Sequence, residues 1–184
     1  MTSRMTPLLE HNEQFTRTFS PVPLALPSAE VIVVTCLDHR VAPEITLGLK
    51  LGDAPVLRNA GGRVTLDIIE EIAYLAFLGQ RIAGGELPAD SQFEVAIIHH
   101  TQCGTGFLVD PDFRREASEA TGMDEQALKA SAVDDPNITV QQDVELLLSS
   151  PLLPPGMGVS GHVYDVETGR VTTVVDTRHT QPSV

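Results

Sequence analysis

Two apolar runs rich in β-branched residues each lead into a short polar segment that holds one of the chain's two cysteines. The run Val31–Thr35 precedes Cys36–Arg40, and the run Phe93–Ile98 precedes His99–Cys103. Short apolar runs of this kind are typical of strands that are buried on both faces. Between them, Thr65–Leu78 repeats its apolar residues at helical spacing. A strand, a helix and a second strand in this order predict parallel strands in one α/β sheet.

The other patterns along the chain continue this alternation of strands and helices. A short strand is predicted at Pro55–Leu57, and Asp124–Asn137 is an acidic, polar connection. Further helices are predicted at Pro43–Leu51, Pro111–Ala120 and Val140–Leu148. Two strands, Met157–Asp165 and Arg170–Asp176, flank the turn residues Glu167–Gly169 and predict a hairpin. We therefore expect a mainly parallel sheet with helices on both faces.

The first 27 residues predict an N-terminal arm, and residues 28–184 predict a single domain. The arm combines aromatic residues with prolines, which break helices and favour extended chain. These residues are Phe15, Phe19, Pro21, Pro23 and Pro27. Two arrangements remain open for the arm: it lies across a partner subunit, or it forms a helix that lies on its own domain.

The charge and hydropathy of the chain exclude several classes of partner. The formal net charge is −13 over 184 residues, whereas a general nucleic-acid or anionic-membrane binder needs a basic surface. No apolar stretch approaches the ~20 residues that span a bilayer. Residues 1–10 also lack the apolar core of a signal peptide. We therefore expect a cytoplasmic protein whose thiols stay reduced.

The two cysteines and a nearby histidine form a candidate metal-binding set. Two thiolates and one imidazole are the donors that zinc prefers. Either His99 or His100 could supply the imidazole, but alternation along the strand points only one of them inward. The H-x-x-C spacing with Cys103 favours His100. Alternatives to a metal site are a disulfide between Cys36 and Cys103, or two buried structural thiols.

Asp38 and Arg40 stand beside the first of these cysteines. Three protein ligands leave the fourth position of a zinc ion open, as in catalytic sites. Asp38 could fill that position, or it could hydrogen-bond a water there. Arg40 favours the second option, because a guanidinium can hold a carboxylate through two hydrogen bonds. The structural alternative is an ordinary surface ion pair.

Two glycine-containing loops are candidates for substrate contacts. Arg58–Gly62 follows the short second strand, and Gly104 follows Cys103. The backbone N–H groups of Gly61 and Gly104 could face an oxygen-bearing substrate, although glycines more often mark simple turns. His39 could relay protons, or its side chain could point away from the metal.

The motifs together resemble those of the β-class carbonic anhydrases. The likeness rests on C-x-D-x-R at Cys36, R-N-A-G at Arg58 and H-x-x-C-G at His100, and it extends from about Val31 to Asp176. The chain is most similar to the shorter, divergent bacterial members. The resemblance implies reversible hydration of carbon dioxide to bicarbonate and a proton.

The resemblance also implies a set of site residues and an assembly. One zinc ion per chain would be held by Cys36, His100 and Cys103, with Asp38 and Arg40 as the catalytic pair. The family fold is a mainly parallel sheet with an antiparallel edge strand. Its members are homodimers or higher homo-oligomers, in which the active sites lie near the subunit interface and the arm commonly wraps the partner.

Two positions depart from the family pattern. His39 stands where a small residue is common, and Thr105 stands where many members have a second glycine. Carbon disulfide hydrolases share the zinc motif and the fold, so hydrolysis of carbon disulfide or carbonyl sulfide is one alternative activity. A catalytically silent zinc-binding protein, with Asp38 on the metal, is the other.

Overall fold

A five-stranded sheet forms the centre of the computed structural model, which describes residues 3–85 and 93–181. The strands are β1 Val31–Cys36, β2 Val56–Asn59, β3 Glu94–His100, β4 Gly158–Tyr164 and β5 Val171–His179. Their order across the sheet is β2-β1-β3-β4-β5. All neighbouring strands are parallel except β4 and β5, which are antiparallel. This confirms the predicted mainly parallel sheet with an antiparallel edge strand.

The order of the strands places β1 between the two strands that follow it in the chain. Cys36, the last residue of β1, lies opposite Asn59 of β2, and Thr35 lies opposite Ile98 of β3. The chain therefore reverses its direction across the sheet between β1 and β3. In open α/β sheets, ligands bind outside the carboxyl ends of the strands at such a point.

Helices lie on both faces of the sheet, but unequally. The helices are α1 Thr6–Thr16, α2 Pro43–Thr46, α3 Leu66–Ile82, α4 Pro111–Thr121, α5 Glu125–Ala130 and α6 Pro136–Leu148. On one face, Ile72 of α3 and Val144 of α6 are fully buried in the main hydrophobic core. On the other face, Val41 and Leu49, which flank the single turn of α2, pack against Val33 and Ile98.

Two predictions of local structure were incomplete. The helix predicted at Pro43–Leu51 ends after one turn, because Gly48 adopts a left-handed conformation with φ of +71°, which ends helices. The polar connection Asp124–Asn137 contains the short helix α5. Asp124 caps it by accepting hydrogen bonds from the first backbone N–H groups, as aspartate does at many helix N-termini.

The N-terminal arm begins as an exposed helix. Within the described part of the chain, no residue of α1 is buried, and the apolar side chains of Leu8, Leu9 and Phe15 are exposed. The helix therefore does not bury an apolar face on its own domain. Further along the arm, Leu26 packs against the main core. Among the described residues, no helix has both the length and the apolar character that crossing a bilayer requires.

Candidate metal centre

The carboxyl ends of β1 and β3 bring two cysteines and one histidine together. Cys36 is the last residue of β1, His100 is the last residue of β3, and Cys103 follows in the next turn. One ligand atom from each of the three lies within 4.8 Å of the other two. The residues are 3%, 1% and 9% exposed. These buried donors form a site of the size and chemistry that a single metal ion fits.

The ring of His100 is oriented for metal binding. Its Nδ1 lies 2.9 Å from the carbonyl oxygen of Thr101, so Nδ1 carries the hydrogen and donates it. The other ring nitrogen, Nε2, is buried and has no hydrogen-bond partner among residues 3–85 and 93–181. A buried polar atom without a partner is unfavourable. A cation bound by this nitrogen and the two sulfurs would satisfy it.

His99 points to the opposite face of β3. Its Nδ1 lies 2.8 Å from the hydroxyl oxygen of Thr139 on α6, and its Nε2 lies 3.2 Å from a carboxylate oxygen of Asp143. Strand alternation therefore places His100, and not His99, with the cysteines. This is the arrangement that the H-x-x-C spacing favours.

The two thiols form an interacting pair and not a disulfide. Their sulfurs are 3.9 Å apart and both are free, whereas a disulfide needs ~2 Å. Hydrogen bonding to Cys103, together with burial, raises the pKa of Cys36. Hydrogen bonds from Cys36 and the hydroxyl of Thr105, together with the nearby ring of His100, lower the pKa of Cys103. Thr105, whose oxygen is 3.2 Å from the Cys103 sulfur, thus contacts the site, and no sequence pattern had indicated this contact.

Arg40 holds the carboxylate of Asp38 beside the cluster. Arg40 donates from Nε to Asp38 Oδ1 at 3.0 Å and from Nη2 to Oδ2 at 2.7 Å. These bonds hold the pKa of Asp38 well below its usual range. Asp38 Oδ2 nevertheless lies 4.0 Å from His100 Nε2. The carboxylate is therefore ionised and next to the ligands, but it is bound to arginine.

Arg58 has a role that its motif did not reveal. Its guanidinium donates to the carbonyl oxygens of Cys36 at 3.0 Å and Asp38 at 2.9 Å, and also to that of Val41. Arg58 thereby fixes the loop that carries Asp38. Only the positions of these carbonyls in the folded chain make the contacts recognisable.

The two candidate substrate-binding glycines lie in different surroundings. Gly61 has φ of +84°, and its backbone N–H faces the Cys36 sulfur, which acts to lower the pKa of that thiol. Gly104 is exposed, and a Cβ added there would meet no atom within 4 Å. Their contact with substrate remains a prediction. His39 is also outside the cluster, because its side chain is 94% exposed and its Nδ1 is 3.8 Å from Asp38 Oδ1.

Comparison with known proteins gives a consistent set of relatives, although no family model matches the chain. β-Carbonic anhydrase 1 of Mycobacterium tuberculosis is 32% identical over 154 residues, covering 84% of this chain and 86% of that protein. Carbon disulfide hydrolase of an Acidianus strain is 30% identical over 163 residues, covering 76% and 74%. The crystal structure of a carbonic anhydrase from Streptococcus mutans matches with a TM-score of 0.76 at 32% identity, covering 95% and 99%.

Proposed function

The chain belongs to the β-carbonic anhydrase family, and on this premise we propose that it hydrates carbon dioxide reversibly to bicarbonate and a proton with one zinc ion per chain. The observation that carries the proposal is the cluster of Cys36, His100 and Cys103 with Asp38 held beside it by Arg40. The cluster offers three ligands, and the carboxylate that could act as a fourth is bound to arginine.

Zinc is the metal that best suits this donor set. Two thiolates and an imidazole are soft and borderline ligands, which disfavour magnesium or calcium. Cys36 and Cys103 would bind as thiolates, and His100 would bind through Nε2. Bound zinc would supply the Lewis acidity that makes water a nucleophile near neutral pH.

Asp38 is proposed to orient the attacking water. Because its pKa is well below the usual range, Asp38 is an anion at neutral pH and acts as a hydrogen-bond acceptor. It therefore positions a proton of the water without removing it. Arg40 keeps Asp38 in this place through two hydrogen bonds, so both residues belong to the proposed catalytic pair.

Backbone groups around the cluster are proposed to contact the substrate. Gly104 is exposed and directly follows Cys103, and its backbone N–H is proposed to contact the substrate. The backbone N–H of Gly61 instead faces the sulfur of Cys36 and favours its thiolate form. Fixed N–H groups of this kind stabilise oxygen atoms that gain negative charge during a reaction.

Two other activities remain as alternatives. Hydrolysis of carbon disulfide or carbonyl sulfide is favoured by one observation, the 30% identity to a carbon disulfide hydrolase. The β-carbonic anhydrase relative is covered more completely, at 86% against 74%, which supports carbon dioxide as the substrate. A catalytically silent protein would need Asp38 on the metal, and here Asp38 is bonded to Arg40.

A stopped-flow assay of zinc-loaded protein tests the proposal. We expect carbon dioxide hydration to increase from about pH 6 to about pH 9, as a metal-activated water requires. Asp38 does not cause this increase, because its lowered pKa keeps it ionised throughout the range. Faster turnover of carbon disulfide or carbonyl sulfide than of carbon dioxide, or a flat pH profile, would contradict the proposal.

We also propose a cytoplasmic homo-oligomer, most simply a homodimer. Both cysteines are free thiols, which suits a reducing compartment. The arm exposes apolar side chains that a second subunit would cover. Fractionation of cells and sedimentation of the purified protein test these two statements separately.

A further inference from the structure

A buried carboxylate lies near the metal centre but has no part in the proposed reaction. Asp143 on α6 is 1% exposed and is the one acidic side chain that is buried within the described residues. Arg63 donates to it from Nε at 2.8 Å and from Nη2 at 2.9 Å. The backbone N–H of Val64 donates at 3.0 Å. Burial alone would raise the pKa of Asp143, but the nearby ring of His99 and the hydrogen bonds from Arg63 outweigh it and lower the pKa.

A buried ion pair of this kind adds little net free energy to the stability of a fold. Moving two charges out of water costs free energy that their attraction often only balances, and apolar side chains of similar size can be as stable. The Arg63–Asp143 pair therefore needs a second explanation, which its other contacts provide.

Arg63 joins two segments of chain that lie around the site. Its Nη1 donates to the carbonyl oxygens of Ala130 at 3.1 Å and Ala132 at 2.8 Å. Its backbone is locked to Asn59, since Arg63 N donates to Asn59 Oδ1 at 2.9 Å and Asn59 Nδ2 donates to Arg63 O at 2.8 Å. One side chain thus ties the loop 59–63 to the segment 130–132.

These two segments touch each other and the first ligand without any spare space. A Cβ on Gly61 would lie 2.7 Å from the carbonyl oxygen of Ser131, and a Cβ on Gly62 would lie 2.7 Å from the backbone nitrogen of Cys36. The loop therefore packs closely on the end of β1 that carries Cys36, with no room for a side chain at either glycine.

The Arg63–Asp143 pair also contacts residues that lie beside the other two candidate ligands, His100 and Cys103. Val133, which follows the segment bound by Arg63, is 3% exposed and packs in one cluster with Cys36 and Cys103. Asp143 also lies 3.2 Å from Nε2 of His99, the residue that precedes His100 in β3. This largely buried ion pair therefore contacts a segment that packs against Cys36 and Cys103 and the residue that precedes His100.

We propose that Arg63 and Asp143 are positioning residues, which hold the backbone around Cys36, His100 and Cys103 in the geometry that binds the metal. The inference rests on the metal site proposed above. Residues behind the ligands of a metal commonly determine its affinity and its geometry. The Arg63–Asp143 pair does so through backbone placement, because it contacts none of the ligand atoms directly.

The test compares four variants with the wild-type protein. Arg63→Lys keeps the charge but cannot span the carboxylate and two carbonyls, because an ammonium has no planar fork. Asp143→Asn keeps the shape and removes the charge. Arg63→Met/Asp143→Leu replaces the pair by apolar side chains. Glu145→Gln is the matched control. Glu145 lies on the same helix as Asp143, and the change breaks its exposed ion pair with Arg178 of β5.

Three quantities are measured for each protein. They are the zinc affinity by competition with a chelator, the absorption spectrum of the cobalt-substituted protein, and the unfolding midpoint of the metal-free protein. The thiolate-to-cobalt bands report the geometry of the ligands, which a change in stability alone does not alter. Wild-type protein that binds no zinc would refute the proposed function itself, and not only this inference.

We expect Arg63→Lys and Asp143→Asn to weaken zinc binding by about 10-fold or more and to shift the cobalt bands. The control should match wild type. The apolar double variant should recover the unfolding midpoint but not the zinc affinity. Wild-type zinc affinity and cobalt spectra in folded variants would overturn the inference and leave the pair a purely structural role. If the other variants do not fold, the zinc affinity and cobalt spectrum of the charge-conserving Arg63→Lys variant decide between a positioning role and a purely structural role for the pair.

Discussion

At the scale of single residues, the role proposed for Asp38 depends on the two hydrogen bonds that its carboxylate accepts from the Arg40 side chain. Arg40 is itself fixed by a third contact, since its Nη2 donates to the carbonyl oxygen of Gln102 at 2.9 Å. Gln102 has φ of +53°, which is uncommon for a residue other than glycine. The turn between His100 and Cys103 therefore links two candidate ligands and also supplies a carbonyl oxygen that holds Arg40.

Replacing Arg40 by alanine is expected to lower carbon dioxide hydration by about 100-fold or more. Without its partner, Asp38 would be free to take the open position on a bound metal ion and to exclude water from it. The zinc content should stay near one ion per chain, because the three ligands remain. Stopped-flow kinetics and metal analysis measure the two effects.

The control for this experiment is Arg115→Ala. Arg115 forms an exposed pair with Asp112 on α4 at 2.6 Å, and removing it should leave turnover unchanged, since exposed pairs contribute little. Turnover of the Arg40→Ala variant at the wild-type rate would show that the arginine does not hold Asp38 away from the metal.

At the scale of elements, the loop from β2 to α3 packs on the end of β1 because it contains glycine. Gly62 has φ of +67°. A Cβ at this position would lie 2.7 Å from the backbone nitrogen of Cys36 and 2.8 Å from the carbonyl carbon of Thr35. The backbone of a central strand cannot shift to make room, so the approach of this loop to the candidate ligand Cys36 depends on the absence of a side chain at Gly62.

Gly62→Ala should therefore lower the free energy of unfolding through two effects. The left-handed conformation costs about 1–2 kcal/mol for a residue with a Cβ, and overpacking adds about 1–3 kcal/mol. Zinc affinity should fall as well, because the loop is displaced from Cys36. Chemical denaturation of the metal-free protein and chelator competition measure the changes.

Gly48→Ala separates the two effects. Gly48 also has a left-handed conformation, with φ of +71°, but an added Cβ would meet no atom within 4 Å. Only the conformational cost should appear there, with unchanged zinc affinity. Equal losses of stability in the two variants would contradict the close packing of the loop on β1.

At the scale of the whole molecule, the N-terminal arm exposes apolar surface that its own domain does not cover. The exposed side chains include Leu8 at 60%, Leu9 at 56%, Phe15 at 45% and Phe19 at 46%. Phe15 and Phe19 lie against each other with ring centroids 5.4 Å apart, and groups of exposed apolar side chains mark protein interfaces. The arm is therefore proposed to lie across a partner subunit, in keeping with the first of the two arrangements considered from the sequence.

Removal of residues 1–20 should shift the protein from dimer to monomer in sedimentation velocity. This truncation keeps Leu26, which packs against the core, so the domain itself should remain folded. Removal of residues 1–4 alone keeps α1 and should leave the dimer intact. An unchanged dimer after the longer truncation would show that the arm does not hold the subunits together.

The central sheet and the three candidate ligands could be predicted because their signals are local. β-Branched runs indicate strands wherever they occur, and the sheet they predicted is the one observed. Asp38 and Arg40 follow Cys36 within four residues, and His100 precedes Cys103 by one turn. Parallel strands then bring both motifs to the same edge of the sheet, although 64 residues separate Cys36 from His100.

Other features were decided only by the tertiary structure. The helix begun at Pro43 ended early because of the backbone conformation of Gly48, and the contact of Thr105 with a ligand sulfur depends on one turn. Arg63 and Asp143 are 80 residues apart. A periodic apolar pattern reports its own secondary structure, whereas a single polar side chain has no pattern. Its partner is determined by the packing of all the elements that lie between the two residues.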